Sequence, residues 1–416
     1  MGGMNRSLLY VSAQYPNAVG DAAFVQTEMR YLSQAFSHIV VLSEGNPSLP
    51  CVAVPANVTV LWFGAVRKRF AFKIVRAVPC LFHWRLWWEF LLIARHRKPL
   101  RCFYHALGFL SGALFKKKRI VKTMRMYKID VLYTFWYYNS TLACLLALKH
   151  MGLTPKPMCT RTHGFDLYEL RDANRYQPFK IQMDREVDRI FFISRDGMEY
   201  YRRTFAARGE EVYRLCYLGT ENALQFEPHP YTDEIRLLSV SNVVPVKRIH
   251  LIVEALAECA ALGIKIRWTH IGDGTEMQVV RALAEERLAG SSVQFCFLGQ
   301  KTNAEVHDWY RSNTADLFVN MSESEGLPVS MMEAMSYGVP VAAPDVGGIG
   351  EIVDEDSGWL LSKDGCRDEF VGVIRRWAGM TAAERHRKAE RAYKKWDGVF
   401  NAEKNYRRFA EELRSL

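Results

Sequence analysis

Short apolar runs alternate with helix-length stretches along most of the chain, and that alternation leaves few folds open. Runs at residues 8–12, 39–43, 131–135 and 190–194 make one series, and runs at 235–240, 264–271, 293–298, 317–320 and 339–342 make a second. Strands that alternate with helices predict a doubly wound parallel sheet, so two series predict two α/β domains. Residues 220–234 lie between the series, carry two prolines and few core residues, and are expected to hold the linker. The predicted division is 1–220, 221–390 and a charged helical end at 391–416. A length of 416 residues suits two to three ordinary units, and 49% hydrophobic residues can fill large cores. The nine cysteines stand singly with no C-x-x-C pair, which favours buried thiols in a reducing compartment over disulfides or zinc. The apolar run at 8–11 is too short for a signal peptide and reads as the first strand.

Chemistry concentrates in residues 322–353, SESEGLPVSMMEAMSYGVPVAAPDVGGIGEIV. Glu325 and Glu333 stand eight apart across a helix start. Gly326 lets the turn approach a ligand closely, Pro328 suits the first helical position, and Gly338 with Pro340 ends the helix. A helix over about 328–337 then aims its free N–H groups at whatever sits beside Glu325, an arrangement suited to a phosphate or a polyhydroxyl ligand. The alternative is a surface loop and an amphipathic helix whose glutamates are only solvated. The glycines, Pro328 and the buried strand that follows weigh against it.

This segment resembles the donor site of retaining glycosyltransferases of family four, which have the GT-B fold: α/β, two Rossmann-like doubly wound domains facing across a cleft. The resemblance implies that Glu325 contacts the transferred sugar, that Glu333 holds the nucleotide ribose, and that backbone amides at Gly326 and Leu327 serve sugar and phosphate. Residues 239–256 resemble the family's phosphate-binding loop, with Lys247 and Arg248 at a helix start, where cations neutralise a diphosphate. The relatives carry Gly-Arg where this chain has Ser241 and Asn242, so one expected cation is missing and Arg248 is the candidate to replace it. HIGDGTE, with Gly272, resembles the next turn of that fold, and FLGQ, with Gly299, the loop bordering the base. In the first half, RTHGFDLYELR resembles the family's histidine loop. His163 there is the sugar-contacting candidate, since a neutral imidazole donates one hydrogen bond and accepts another. Asp166 is a candidate on the acceptor side and also reads as a helix cap. Gly20 and Asp21, after the first strand, are acceptor-side candidates, though the same residues read equally as an ordinary strand-to-helix connection. The resemblance further implies that the last helix returns to the first domain. No Asp-x-Asp suggests a metal site beside the donor pocket, so no metal and no cofactor are expected.

Residues 66–125 hold sixteen Lys or Arg against Glu89 alone, a net +15, which leaves about −5 for the rest of a chain whose total is +10. Trp84, Trp87 and Trp88 are interleaved with these charges, and from 81 to 93 only His83, Arg85 and Glu89 interrupt the apolar residues. That composition suits helices lying in an anionic membrane surface; Pro79, Arg85 and Glu89 argue against spanning it. The alternative is a helical part of the first domain with a solvated lysine face. The whole implies a retaining glycosyltransferase peripheral to the cytoplasmic face of the cell membrane. It would move a sugar from a nucleotide-sugar donor to a lipid-linked or saccharide acceptor in bacterial surface-polysaccharide or glycolipid biosynthesis. The competing readings are a GT-B nucleotide-sugar epimerase, or another non-transferase enzyme of that fold, and a basic nucleic-acid-binding protein. The last lacks any visible recognition motif, and no nucleic-acid partner is expected.

Overall fold

The computed structural model describes residues 6–18, 22–64, 77–153, 156–222 and 224–416. The chain forms two units, Met1–Cys216 with Tyr406–Leu416, and Tyr217–Asn405. The first unit carries β1 (Ser7–Ser12), β2 (His38–Ser43), β3 (Val58–Trp62), β4 (Val131–Thr134), β5 (Met158–Thr162), β6 (Arg189–Phe192) and β7 (Tyr213–Leu215), in the order β3-β2-β1-β4-β5-β6-β7. All the pairings are parallel. β1 shows why its sequence takes this place: all six residues are buried, Leu9 and Val11 in one core and Leu8 and Tyr10 in the other. Successive side chains of a strand point to opposite faces, so a central parallel strand must be apolar on both.

The second unit carries β8 (Ile235–Val240), β9 (Ile266–Ile271), β10 (Val293–Phe297), β11 (Leu317–Val319), β12 (Val341–Pro344) and β13 (Gly358–Leu361), in the order β10-β9-β8-β11-β12-β13, again all parallel. In each sheet the strand order reverses beside the first strand, between β1 and β4 and between β8 and β11. The loops leaving such a pair diverge to opposite faces and open a crevice outside the carboxyl ends, where α/β sheets bind ligands.

Every strand expected from an apolar run is present, with each end within two residues of the expected bound. The domain limits shift. Residues 220–234 belong to the second unit: Asn222 Nδ2 donates to the Ser336 carbonyl at 2.6 Å, and Phe226 stacks on Tyr393. Residues 391–405 stay there too, held in part by Trp396 Nε1 donating to Thr220 Oγ1 at 2.8 Å. The first unit takes only Tyr406–Leu416, burying Tyr406, Phe409, Ala410 and Leu413.

The basic segment departs further from its composition. Residues 66–76 lie outside the described residues; beyond them come helices Trp84–Arg95 and Arg101–Met126. In the shorter helix Arg85 and Glu89 face inward. Arg85 is 1% exposed and pairs with Glu186. Glu89 is 2% exposed and accepts from the Tyr176 hydroxyl, the Phe179 N–H and Gln182 Nε2. Trp84, Trp87 and Leu91 face outward, at 51%, 50% and 65% exposure. Trp88, expected with them, is partly buried, with Arg185 over its ring. Lys116 is buried, paired with Glu44 and bonded to Asn139 and Ser140, so it belongs to the fold and not to a solvated lysine face. Among the described residues, no helix is long and apolar enough to cross a membrane.

Candidate functional site

The switch point of the second sheet brings together the charged residues expected around a donor. β8 leads into residues 241–248 and β11 into residues 320–328, and the two loops are tied to each other. Glu323 N–H donates to the Val246 carbonyl at 2.8 Å, and Arg248 Nε to the Met321 carbonyl at 2.7 Å. Lys247 Nζ reaches Glu325 Oε1 at 2.5 Å, and Asn320 Nδ2 lies 3.3 Å from the same oxygen. The two charged side chains keep 22% and 11% exposure. A cation and a carboxylate side by side within reach of solvent suit a ligand bearing both phosphate and hydroxyl groups.

Arg248 is not part of that pair. Its φ is 48°, a left-handed conformation, and its guanidinium turns to the Met321 and Ser322 carbonyls and Cys366 Sγ. It braces the β11 loop, which corrects the expectation that it replaces the missing phosphate cation. Asn242 is exposed and uncharged. The turn at Glu325 and Gly326 rests on Gly347 and Gly348: a Cβ on either would lie 2.0 Å from the Glu325 carbonyl oxygen or 2.4 Å from that of Gly326. Bare backbone is required there, and the Gly348 N–H donates to the Gly326 carbonyl at 2.8 Å. Leu327 buries its side chain, leaving its backbone as the part a ligand would meet.

Glu333 sits inside the helix Val329–Ser336 and is 5% exposed. Its Oε1 accepts from Asn303 Nδ2 and stands 3.9 Å from His307 Nε2. Burial pushes its carboxyl up to about 7, against the opposing hydrogen bond from Asn303. Asn303 opens the helix Asn303–Ser312, whose start is fixed by a capping box between Thr302 and Glu305. Just before it, the Gly299 carbonyl accepts from the Gly272 N–H at 2.9 Å, so both glycine turns lie on one edge of this sheet.

In the first unit, His163 follows β5. Its ring packs against Phe135 and Trp136, with centroids 4.6 and 4.5 Å away, and both ring nitrogens are buried without a partner among the described residues. Burial, assisted by the Arg161 charge, holds it well below the usual histidine range, so it is neutral. One donor and one acceptor are therefore left to give. Asp166 is fully buried and accepts from the N–H groups of His163 and Tyr137, each at 2.6 Å, and from Thr162 Oγ1 at 3.1 Å. It shapes the histidine loop, as in the cap reading; the acceptor-side expectation for it is corrected. Gly20 and Asp21 lie outside the described residues. Asn303, His307 and Asn320 were not anticipated. The T-x-x-E spacing at Thr302 marks the helix start that places Asn303; no comparable signal marks the other two.

Residues 221–395 match the family described as Glycosyl transferases group 1. The putative colanic acid biosynthesis glycosyltransferase WcaL of Escherichia coli is 27% identical over 282 residues, which is 65% of this chain and 67% of that protein. Among solved structures, sucrose-phosphate synthase from Thermosynechococcus elongatus aligns with a TM-score of 0.71 at 17% identity, over 99% of both chains. Anabaena Alr3699/HepE, solved with UDP and glucose, aligns with a TM-score of 0.64 at 17% identity, over 99% of this chain and 100% of that one. At such identities the structures establish a shared two-domain α/β fold. The family match covers most of the second unit, so that unit belongs to the glycosyl transferases group 1 family, and the likeness to the relative extends into the first unit.

Proposed function

We propose that this group 1 glycosyltransferase takes a sugar from a nucleotide-sugar donor and passes it, with retention of configuration, to a lipid-linked or saccharide acceptor in bacterial surface-polysaccharide or glycolipid assembly. The observation that carries the reading is the Lys247–Glu325 pair, 2.5 Å apart at the switch point of the second sheet. A diphosphate takes Lys247, and the freed Glu325 carboxylate takes sugar hydroxyls. Glu333 takes the ribose, and His163 offers its neutral imidazole to the transferred sugar. In the reaction the bond between the anomeric carbon and the diphosphate oxygen breaks, and the acceptor oxygen bonds the same face. The acceptor's proton leaves with the phosphate. Lys247 and the N–H groups at Gly326 and Leu327 stabilise the developing negative charge, so no metal is called on and neither glutamate acts as nucleophile.

WcaL is named for colanic acid biosynthesis and HepE was solved with UDP and glucose, which supports the pathway class and makes UDP the first nucleotide to test. The outward stripe of Trp84, Trp87 and Leu91, flanked by exposed Arg95, Arg97 and Arg101, supports attachment to the cytoplasmic face of an anionic membrane, where lipid-linked acceptors reside. Thermal unfolding with each nucleoside diphosphate tests the donor half: at a hundred times its dissociation constant, the right one adds about 2.7 kcal/mol. No stabilisation by any of them overturns the proposal. The anomeric configuration of the product, read by NMR, decides retention.

A further inference from the structure

β9 carries a buried histidine that none of these roles uses. His270 lies across from Ser239 on β8 and is fully buried. Trp268 Nε1 donates to Ser239 Oγ at 2.9 Å, and that hydroxyl lies 2.8 Å from His270 Nδ1. An indole can only donate, so the arrangement that leaves no buried hydroxyl proton stranded sends it from Ser239 to Nδ1. The ring's own proton then sits on Nε2. Burial holds the imidazole down at about 4, so it carries that single proton at neutral pH.

Nε2 meets no side chain among the described residues and makes no hydrogen bond of ordinary geometry; the Ser241 backbone is the polar group that acts on the ring, against the effect of burial. Gly272, with φ of 146°, leaves the space for this: a Cβ there would lie 3.2 Å from His270 Nε2 and 1.8 Å from the Ser241 carbonyl oxygen. The Ser241 carbonyl is thus directed toward β9. Because a trans peptide is planar, the Asn242 N–H on the same peptide points the opposite way. The neighbouring N–H groups of Ser241 and Val243 are spent on the Ile271 and Asp273 carbonyls, whereas that of Asn242 donates to no group among the described residues.

We propose that His270 is a positioning residue for the donor: the relay Trp268–Ser239–His270 fixes the Ser241 carbonyl so that the Asn242 N–H is presented to the donor's diphosphate. An oriented backbone donor then stands where the resemblance expects a guanidinium, while Arg248 is occupied with the β11 loop. The inference rests on the nucleotide-sugar reading above and adds the device that completes its phosphate site.

Calorimetric titration with UDP and with uridine separates the phosphate contribution from the rest. The wild type prefers UDP. His270→Leu loses about tenfold of that preference, the scale of one hydrogen bond to a charged group, with uridine affinity unchanged. His270→Gln, whose amide N–H reaches the place of Nε2, restores it. Ser239→Ala, which frees the tautomer, loses part and carries the test if His270→Leu does not fold. An unchanged UDP-to-uridine ratio in His270→Leu and Ser239→Ala overturns the inference alone, as does a loss shared equally by both ligands. A wild type that binds uridine as tightly as UDP overturns it together with the donor reading.

Discussion

The helix Trp84–Arg95 and the loop after β11 both mix charged and apolar residues at short intervals, and they turn opposite sides to solvent. In the helix, Arg85 and Glu89 are inside while Trp84 and Trp87 are outside. In the loop, Leu327 is inside while Glu325, paired with Lys247 from the loop after β8, keeps contact with water. The difference lies in the partners. Arg85 has Glu186, and Glu89 accepts three hydrogen bonds from residues 176–182, so both are satisfied by groups the fold supplies. Lys247 and Glu325 answer mainly to each other. A charge bound into several fold contacts is scaffold, whereas a pair that still reaches solvent can be exchanged for a ligand, because it is only partly desolvated and its partner is replaceable.

The largest effect expected from this contrast is at the outward stripe. Half-burying Trp84, Trp87 and Leu91 in a bilayer is worth about 1 kcal/mol each by apolar area. Exposed Arg95, Arg97 and Arg101 add about 1 kcal/mol each near anionic lipid. Replacing the three apolar residues with serine should cut sedimentation with phosphatidylglycerol vesicles by about a hundredfold and leave the remainder salt-labile, since only charge is screened. Lys116→Gln should leave vesicle binding unaltered and lower the melting temperature, because its ammonium serves Glu44, Asn139 and Ser140. A wild type that ignores such vesicles at low salt ends the membrane reading and leaves the stripe as a protein-docking face.

Next in size is Lys247→Ala. Removing the cation paired with Glu325 should weaken UDP by about 1.5 to 3 kcal/mol, roughly ten- to a hundredfold, while uridine is unaffected. Equal losses for both ligands would make Lys247 scaffold, like Arg85, and erase the contrast.

Glu325→Gln sharpens it, because binding and turnover should move in opposite directions. With the carboxylate gone, Lys247 has no competing partner and a diphosphate meets no like charge, so UDP should bind a few-fold tighter. Sugar transfer should slow about tenfold or more, since a contact to a sugar hydroxyl is lost. His163→Ala should slow transfer comparably without altering UDP affinity. Weaker UDP binding by Glu325→Gln would show that the pair acts as one structural unit.

The limits of reading this chain from its sequence follow the same line. The apolar runs announce their strands because burial on both faces demands uniform apolarity. β5 escapes that signal: Thr160, Arg161 and Thr162 are buried there, the threonine hydroxyl at 160 shared with Thr134 and the arginine paired with Glu28. The direction of the helix Trp84–Arg95 was unreadable because the partners of Arg85 and Glu89 lie about ninety to a hundred residues away. At the donor loop, the resemblance pointed to Lys247, Glu325 and Glu333, while the glycines and Pro328 marked the turn and helix start between the two glutamates. Asn303 and His307 were not, since only folding brings the start of one helix beside the carboxylate of another.

Glu333 supplies the smallest expected effect and the one whose sign is easiest to get wrong. Its burial raises the carboxyl to about 7, so it is half ionised near neutrality. Ribose hydroxyls donate, and an ionised carboxylate can only accept, so the charged form is the one that binds the ribose through both oxygens. Affinity should therefore rise with pH. From pH 6 to pH 8 the ionised fraction climbs from about a tenth to about nine tenths, which bounds the gain at roughly tenfold. His307, 3.9 Å away, is itself held below the usual histidine range by burial and stays neutral through most of this window. Uridine is the ligand to use, because it carries the ribose without a phosphate that titrates nearby. Its affinity for the wild type should climb across the window, and Glu333→Gln should flatten the curve. A wild-type affinity that is flat or falls with pH would place the ribose elsewhere and return Glu333 to the class of Glu89, a buried carboxylate that serves the fold.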